Sequence, residues 1–182
     1  IGDKRLRLLL GSITDKERIE MAGFQVDIIF HLAAIKNIEI SEFNPIETID
    51  TNVQGMINLL KMSMRNKPKK FLNVSTDKAA EASTLYGTTK QICERLTSWA
   101  GTHMEDIKFA TIRLGNVRET RGNVFEIWNE EKKNNKPLTI TDPKGPPPLS
   151  MLSIESSIAL CINSFFIFCS LSPLYSIKLL LG

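Results

Sequence analysis

Apolar and polar positions along the chain follow two alternating patterns. Short unbroken apolar runs bounded by Gly, Ser or charged residues are typical of buried strands. Between them lie segments whose apolar residues are three and four positions apart, which is typical of helices that face a core. The pattern predicts strands at 6–10, 26–32, 71–74 and 109–114, and helices at 16–22, 45–60, 85–99 and 124–133.

The clearest helical pattern follows Asn44, which precedes Pro45. An N-cap residue followed by proline at the first helical position is a typical helix start. The apolar residues that follow predict one continuous face, made of Ile46, Ile49, Val53, Met56, Ile57 and Leu60. We expect this face to lie against the core, as do Ile92 and Leu96 of the next helix.

Strands separated by helices predict a parallel sheet, because parallel neighbours need long crossover connections. The expected fold is α/β with a doubly wound parallel sheet, in which ligands bind at the carboxyl ends of the strands. Three of these ends carry small or polar residues, at 31–34, 75–78 and 114–116. The chemistry is therefore expected at this edge.

Composition narrows the class of protein. The chain has 182 residues, 42% hydrophobic and 24% charged, which suits a globular domain with a real core and excludes a disordered or disulfide-stapled one. Its 23 basic and 20 acidic residues are scattered and leave a net charge of +3, which argues against nucleic acid as a partner. Three cysteines without a CxxC pair and two distant histidines predict reduced thiols in a cytosolic protein, without a metal site.

The last forty residues differ from the rest. Consecutive glycine and prolines at 145–148 end any regular element, and no charged residue occurs at 156–177. That run has the length of a membrane span, but six serines, Asn163 and Pro173 lie within it. A membrane segment, a core helix with a strand, and a tail foreign to the native protein are the alternatives. We therefore divide the chain into a core at 1–143 and a divergent apolar tail at 144–182.

Two local motifs point to proton transfer. Tyr86 and Lys90 are four residues apart in a predicted helix and share a face, so the ammonium is expected to favour the phenolate. Just before that helix, Thr76, Asp77 and Lys78 bring a hydroxyl, a carboxylate and an amine to a strand end. Each motif alone is common, the first as a chance helical spacing and the second as a capped turn. Together they predict an acid, a base and a phenol at neighbouring elements.

With these motifs the chain resembles the extended short-chain dehydrogenases/reductases, in the polysaccharide-biosynthesis branch of UDP-N-acetylglucosamine 4,6-dehydratases. The resemblance covers about 8–143 and implies a Rossmann-like NAD(P)-binding fold, incomplete at its N-terminus. The matching segments are Gly11–Asp15, His31–Lys36, Glu42–Pro45, Thr51–Val53, Ser75–Ala79, Tyr86–Lys90, Arg113–Val117, Arg121–Gly122 and Thr141–Pro143.

The resemblance implies a reaction and a role for each catalytic residue. Tyr86, held by Lys90 and the Thr76 hydroxyl, would take the proton of the sugar C4 hydroxyl as a hydride passes to NADP. Lys78 would remove the C5 proton, and Asp77 would protonate the departing C6 hydroxyl. The hydride then returns to C6, so that a tightly bound NADP (or NAD) is regenerated in each cycle.

The resemblance also implies the binding sites. The cofactor residues would be Ile13, Thr14, Ala33, Ala34, Asn52, Tyr86 and Lys90. The UDP-sugar substrate would be held by Lys36, Asn116 and Arg121. It further implies a cytoplasmic enzyme of nucleotide-sugar metabolism that forms a homo-oligomer when full length.

Two departures from the family pattern leave alternatives open. No GxGxxG motif occurs, and the first residue is not Met, so we expect a fragment that begins at the third strand of the fold. After Pro143 the chain no longer follows the family. A nucleotide-sugar epimerase or reductase of the same superfamily is the first alternative, and an inactive truncated product is the second.

Overall fold

The computed structural model describes residues 6–115, 124–139 and 177–181. The chain forms two compact units, Ile1–Arg113 with Ser172–Gly182, and Leu114–Leu171. The strands are β1 (Leu6–Leu10), β2 (Ile28–His31), β3 (Lys70–Thr76), β4 (Lys108–Leu114) and β5 (Ile177–Leu181). The helices are α1 (Lys16–Gly23), α2 (Ile38–Phe43), α3 (Pro45–Ile49), α4 (Gly55–Asn66), α5 (Leu85–His103) and α6 (Val124–Lys133).

The sheet that carries the site has three strands, with β3 between β2 and β4. β2 and β3 are parallel, and His31 lies opposite Asn73 at their carboxyl ends. β1 pairs in parallel with β5 in a separate two-stranded sheet, from Leu6 opposite Ile177 to Leu10 opposite Leu181. The predicted parallel α/β class is confirmed, since α2, α3 and α4 connect β2 to β3 and α5 connects β3 to β4.

The hydrophobic core contains residues of α1, α4, α5 and the sheet. Met56 and Phe71 are fully buried there, and the ring of Phe71 lies 5.3 Å from that of Phe109. α5 turns a narrow face of mostly small side chains inward, Thr89, Cys93, Thr97 and Ala100. The expectation that Ile92 faces the core is wrong, because its side chain is 39% exposed, whereas Leu96 does pack against the core.

The predicted apolar face from Ile46 to Leu60 is correct only in its second half. Met56 and Leu60 are buried, but Ile46 and Ile49 are 71% and 46% exposed. The cause is a π-helical turn at Asp50–Gln54, between α3 and α4. One extra residue in that turn rotates the preceding helix relative to the following one, so the spacing of apolar residues no longer marks a single face.

The helix starts follow the capping signals in most cases. Asp15 caps α1 by accepting a hydrogen bond from the Arg18 N–H at 3.0 Å. Pro45 occupies the first turn of α3 as predicted. The predicted side-chain cap by Asn44 is absent, because its Nδ2 donates to the Ile40 carbonyl at 3.0 Å.

In the second unit, α6 is followed by a short irregular segment. Trp128 donates from its indole N–H to the Thr139 carbonyl at 2.9 Å, and Glu131 accepts from the Thr139 backbone N–H at 2.9 Å. In the ranges that the structure describes, no helix has both the length and the apolar character needed to cross a membrane. The proposed boundary at 143 and residues 144–176 of the tail lie outside those ranges, so the division into core and tail stays a prediction.

Candidate active site

The end of β3 brings together a hydroxyl, a carboxylate and an amine. β3 ends at Thr76, and a 3₁₀ turn at Asp77–Ala79 follows. Asp77 Oδ1 accepts hydrogen bonds from Thr76 Oγ1 at 2.9 Å, from the Lys78 backbone N–H at 2.9 Å and from Lys78 Nζ at 3.2 Å. Burial opposes ionisation of Asp77, but these hydrogen bonds outweigh it and hold its pKa below the usual value. Asp77 and Lys78 therefore form an ion pair at the end of β3.

Tyr86 joins this group from the first turn of α5. Its half-buried hydroxyl and the Thr76 side chain form a hydrogen bond, so that Thr76 contacts both Tyr86 and Asp77. The pKa of Tyr86 is raised, chiefly by burial, with the charge of Asp77 adding to the effect and the Thr76 hydrogen bond opposing it. We expected Lys90 to lower this pKa, but in the structure burial dominates.

A glycine lets α5 approach the 3₁₀ turn. A Cβ on Gly87 would lie 2.5 Å from the backbone oxygen of Lys78, closer than any side chain tolerates. Thr84 caps the helix at the same point, since its Oγ1 accepts from the Gly87 N–H at 3.1 Å. Glu42 of α2 accepts from the Leu85 N–H at 2.7 Å. The close packing at Gly87 therefore brings Lys78 and Tyr86 to one site.

We predict that Gly87→Ala destabilises the protein by about 1–3 kcal/mol, because the Asp77–Ala79 turn must move away from α5. Gly101→Ala on the same helix is the matched control, since its Cβ would lie 3.6 Å from Phe109 Cβ, an ordinary contact. That control should be stabilised by about 0.5–1 kcal/mol through helix propensity alone. Urea unfolding measures both, and equal stabilisation of the two variants would contradict the packing argument.

Lys90 lies one turn beyond Tyr86 on α5 and is only 3% exposed. Burial lowers the pKa of its ammonium, while Cys93 and Glu94 on the same helix oppose that shift. A buried cation on the same helix as the phenol is the arrangement that the sequence predicted. Its charge has to be maintained by neighbouring groups, because water reaches it so little.

Asn52 connects the loop after β2 to α5. It is buried in the π-helical turn, and its Nδ2 donates to the Ile35 carbonyl at 3.1 Å and to Thr89 Oγ1 at 3.0 Å. Its Oδ1 accepts from the Ile35 N–H at 2.8 Å, and Thr89 Oγ1 donates to the Tyr86 carbonyl at 2.8 Å. Asn52, expected among the cofactor residues, thus uses both amide hydrogens to hold the loop at 33–36 beside the Tyr86 turn.

The other residues expected to bind cofactor or substrate occupy two loops. Ala33, Ala34 and Lys36 follow β2, with Ala33 and Lys36 exposed and Ala34 half-buried. Ile13 packs in the core, whereas Thr14 is exposed after β1. Asn116 and Arg121 lie outside the described residues.

Sequence reasoning missed a charged network beneath α5. Glu94 accepts a hydrogen bond from Ser75 Oγ at 2.5 Å and is held by Arg113 through two bonds, at 2.8 Å and 2.6 Å. These contacts, first of all those with Arg113, lower the pKa of Glu94, so that it is a carboxylate at neutral pH. Its position four residues after Lys90 was the available signal, because residues at that spacing share a helix face.

Two buried polar side chains lie side by side on β2 and β3 near this network. His31 and Asn73 are opposite each other and are 2% and 0% exposed. Among the described residues, neither ring nitrogen of His31 has a hydrogen-bond partner, nor has Asn73 Oδ1. Burial, with a smaller effect of the Lys90 charge, lowers the pKa of His31 to about 3. His31 is therefore a neutral imidazole near the Lys90 ammonium.

Comparison with known proteins gives relatives of two named activities. An uncharacterized membrane protein of Methanocaldococcus jannaschii is 33% identical over 169 residues, 92% of this chain and 50% of its own length. UDP-N-acetylglucosamine 4,6-dehydratase (inverting) of Campylobacter jejuni is 33% identical over 165 residues, 88% of this chain and 48% of its own. UDP-glucose 4-epimerase of Rickettsia canadensis is 31% identical over 167 residues, 91% of this chain and 48% of its own. The chain thus spans about half the length of the curated relatives it matches.

Solved structures agree on the fold. Pen from Bacillus thuringiensis is 34% identical with a TM-score of 0.69, over 75% of this chain and 43% of that one. UDP-glucuronic acid 4-epimerase from Bacillus cereus, solved with UDP-glucuronic acid and NAD, has a TM-score of 0.73 at 20% identity, over 94% of this chain and 58% of that one, and supports the fold alone. The model of a family described as polysaccharide biosynthesis protein matches residues 2–167. The chain therefore belongs to this polysaccharide biosynthesis family of extended short-chain dehydrogenases/reductases and has its Rossmann-like fold.

Proposed function

We propose that the chain carries the catalytic centre of a nucleotide-sugar 4,6-dehydratase, which converts UDP-N-acetylglucosamine to a UDP-4-keto-6-deoxy-hexosamine. The observation that carries this proposal is the position of Thr76, hydrogen bonded to both Tyr86 and Asp77, with Lys78 on the same carboxylate. An elimination needs an acid and a base close to one sugar ring, and this cluster contains both. The similarity to the dehydratase of Campylobacter jejuni supports the same activity.

The residues present fit the nicotinamide end of a dinucleotide. Ala33 and Ala34 follow β2 with small side chains, Ala33 exposed and Ala34 half-buried, and the Asn52 hydrogen bonds hold their loop beside the turn that carries Tyr86. Lys90 and Tyr86 would hold the nicotinamide ribose, and Thr14 would lie toward adenine. A bound NADP or NAD would supply reversible hydride transfer. The sequence has no GxGxxG motif to cradle a pyrophosphate, so the fit concerns this end of the cofactor only.

In the first half of the reaction Tyr86 acts as the base. Its phenolate would take the proton of the C4 hydroxyl, and the Thr76 hydrogen bond favours that phenolate. Burial raises the pKa of Tyr86 in spite of this hydrogen bond, so we propose that the charge of Lys90, one turn further along α5, adds to the stabilisation of the phenolate when substrate and cofactor are bound. Oxidation at C4 makes the neighbouring C5 proton acidic.

In the second half Asp77 and Lys78 act as a pair. Transfer of one proton from Lys78 Nζ to Asp77 Oδ1, which lie 3.2 Å apart, turns the ion pair into a neutral amine and a carboxylic acid. The amine then removes the C5 proton, and the acid protonates the leaving C6 hydroxyl, so the ion pair is restored as water departs. The 6-deoxy product would form when the hydride held by a bound cofactor returns to C6 and C5 takes up one proton, which balances the proton that Tyr86 took at C4. A substrate that excludes water favours the neutral pair, because it weakens the solvation of both charges.

The proposal extends to the binding partners. The UDP-sugar would be held by Lys36, Asn116 and Arg121, since amines and guanidinium groups bind phosphate well. We also propose that the full-length protein is a cytoplasmic homo-oligomer.

The proposal is tested by mass spectrometry of UDP-N-acetylglucosamine incubated with NADP and the protein. Two forms are compared, the chain as given and a version extended at its N-terminus by a glycine-rich βα unit. We expect the extended version to form a product lighter by one water. A folded, NADP-binding version that leaves the substrate mass unchanged would refute the dehydratase.

The second candidate is a nucleotide-sugar 4-epimerase, favoured by the 31% identity to the Rickettsia canadensis enzyme. Lys78→Ala separates the two, because elimination needs the C5 base and epimerisation at C4 does not. For a dehydratase we expect a loss of about 10²–10⁴-fold in turnover. The control is Lys61→Ala, at an exposed position on α4. If Lys78→Ala turns over substrate as fast as the control, the epimerase is favoured; failure of every version to bind NADP in calorimetry would favour an inactive product.

A further inference from the structure

Lys90 is a buried cation, and a neighbouring group has to compensate its charge. The side chain is 3% exposed on the inner face of α5, where an ammonium is costly unless a negative charge lies close to it. Glu94 follows one turn later on the same helix and is 16% exposed in its side chain. The two residues are four positions apart on α5, a spacing that places side chains on one helix face. The Glu94 charge raises the pKa of Lys90, and the Lys90 charge lowers that of Glu94.

Glu94 is held in place from two strands. Ser75 Oγ, at the end of β3, donates to Oε1 at 2.5 Å. Arg113, near the end of β4, donates from Nε to Oε1 at 2.8 Å and from Nη2 to Oε2 at 2.6 Å, a two-pronged arrangement that fixes the plane of the carboxylate. Ser75 directly precedes Thr76 and the acid–base pair, so the carboxylate joins that strand end to the helix of Tyr86.

We propose that Glu94 is a positioning residue for the Tyr86–Lys90 pair. Its carboxylate supplies the countercharge of the buried ammonium and locks α5 onto the strand end that carries Thr76, Asp77 and Lys78. The proposal rests on the proposed function only in placing Lys90 in an active site; the electrostatic link itself is a property of the chain.

Among the described charged and titratable groups that influence Lys90, Glu94 is the one that carries a negative charge at neutral pH. On α5 the neighbours are Glu94 and Cys93, and burial raises the pKa of the Cys93 thiol to about 11, so that it is neutral at pH 7. From β2 comes His31, which burial keeps neutral at that pH. Arg113 of β4 is bound to the Glu94 carboxylate. Loss of the Glu94 charge would therefore leave the ammonium without compensation among these groups.

The test is a direct titration of Lys90 by NMR in the chain labelled with ¹³C at lysine Cε, with Lys90→Arg identifying the signal. Glu94→Gln keeps the size of the side chain and removes its charge, so it should lower the pKa of Lys90 by about one unit or more. Arg113→Gln is the matched control, because it removes a charge from the same network but leaves the Glu94 carboxylate. In that variant the Lys90 titration should not move downward.

Three outcomes decide the inference. A lower pKa of Lys90 in Glu94→Gln but not in Arg113→Gln supports the inference. An unchanged pKa of Lys90 in Glu94→Gln overturns it. If Glu94→Gln does not fold because Arg113 loses its partner, the double variant Glu94→Gln/Arg113→Gln is compared with Arg113→Gln, because those two proteins differ only in the Glu94 charge. The double variant should then titrate at lower pH than Arg113→Gln, and equal titrations of these two proteins overturn the inference.

Activity provides a separate measurement. In the extended version, Glu94→Gln should move the alkaline limb of the kcat profile to lower pH and leave KM for the UDP-sugar within about two-fold. If the unsubstituted protein has no dehydratase activity, the proposed function fails, and the NMR titration still decides the role of Glu94.

Discussion

Tyr86→Phe is expected to lower turnover of UDP-N-acetylglucosamine by about 10³-fold or more, while binding of the nucleotide sugar changes little. The substitution keeps the ring and removes the hydroxyl that would take the C4 proton, and general-base contributions of this kind are worth about 10²–10⁴-fold. It also removes the hydrogen bond with Thr76, at a cost in stability of about 1 kcal/mol. The initial rate of water loss, followed by mass spectrometry in the extended version, measures the effect.

The control for this experiment is Trp99→Phe. Trp99 is 44% exposed, lies thirteen residues further along α5 and stacks on His103, at the end of the helix away from Thr76. This variant should retain turnover within about two-fold, since it alters no group near the strand ends. A Tyr86→Phe protein as active as Trp99→Phe would show that the phenol does not serve as the base.

Much of the fold follows from features that act locally. The apolar runs at 71–74 and 109–114 correspond to β3 and β4, and the capping residues Asp15 and Thr84 begin α1 and α5. Such signals persist in the structure because they depend on backbone groups a few residues away.

The π-helical turn at Asp50–Gln54 could not be predicted in the same way. It places Asn52 where its amide reaches Ile35, seventeen residues earlier, and Thr89, thirty-seven residues later. Rules based on local residue spacing do not include partners so far away in the sequence. These distant hydrogen bonds nevertheless compensate the poorer hydrogen-bond geometry of the π-helical turn. The error over Ile46 and Ile49 follows from this tertiary constraint.

In the candidate site, too, some contacts could be predicted from the sequence and others depend on long-range packing. Thr76, Asp77 and Tyr86 were expected to meet because they lie on consecutive elements of a parallel sheet, and the structure places them together. Glu94 was not expected, because each of its partners, Ser75 and Arg113, is nineteen residues away on a different strand. Only the sheet order brings those two strand ends under one helix face.

Acidification should destabilise the protein through His31 before its carboxylates titrate. The folded-state pKa of this histidine is about 3, lowered by burial and then by Lys90, against an unfolded value of 6.5. A group with a depressed folded pKa contributes stability that is fully present above 6.5 and is lost as pH falls toward 3, because only the unfolded chain takes up the proton. Between about pH 7.5 and pH 5 this loss amounts to about 2 kcal/mol.

Urea unfolding at several pH values separates this effect from those of other groups. The lowered pKa values of Asp77 and Glu94 act below their ordinary values of 3.8 and 4.5, so the window above about pH 5 reports mainly on histidine. His31→Gln retains a polar side chain and cannot take up the proton, so its stability should be flat across that window. His103→Gln, at the exposed end of α5, is the matched control and should keep the slope of the unsubstituted chain. Equal slopes in all three proteins would mean that the extra proton of the unfolded chain is not taken up at His31. The account of His31 as a buried, neutral imidazole influenced by the Lys90 charge would then fail.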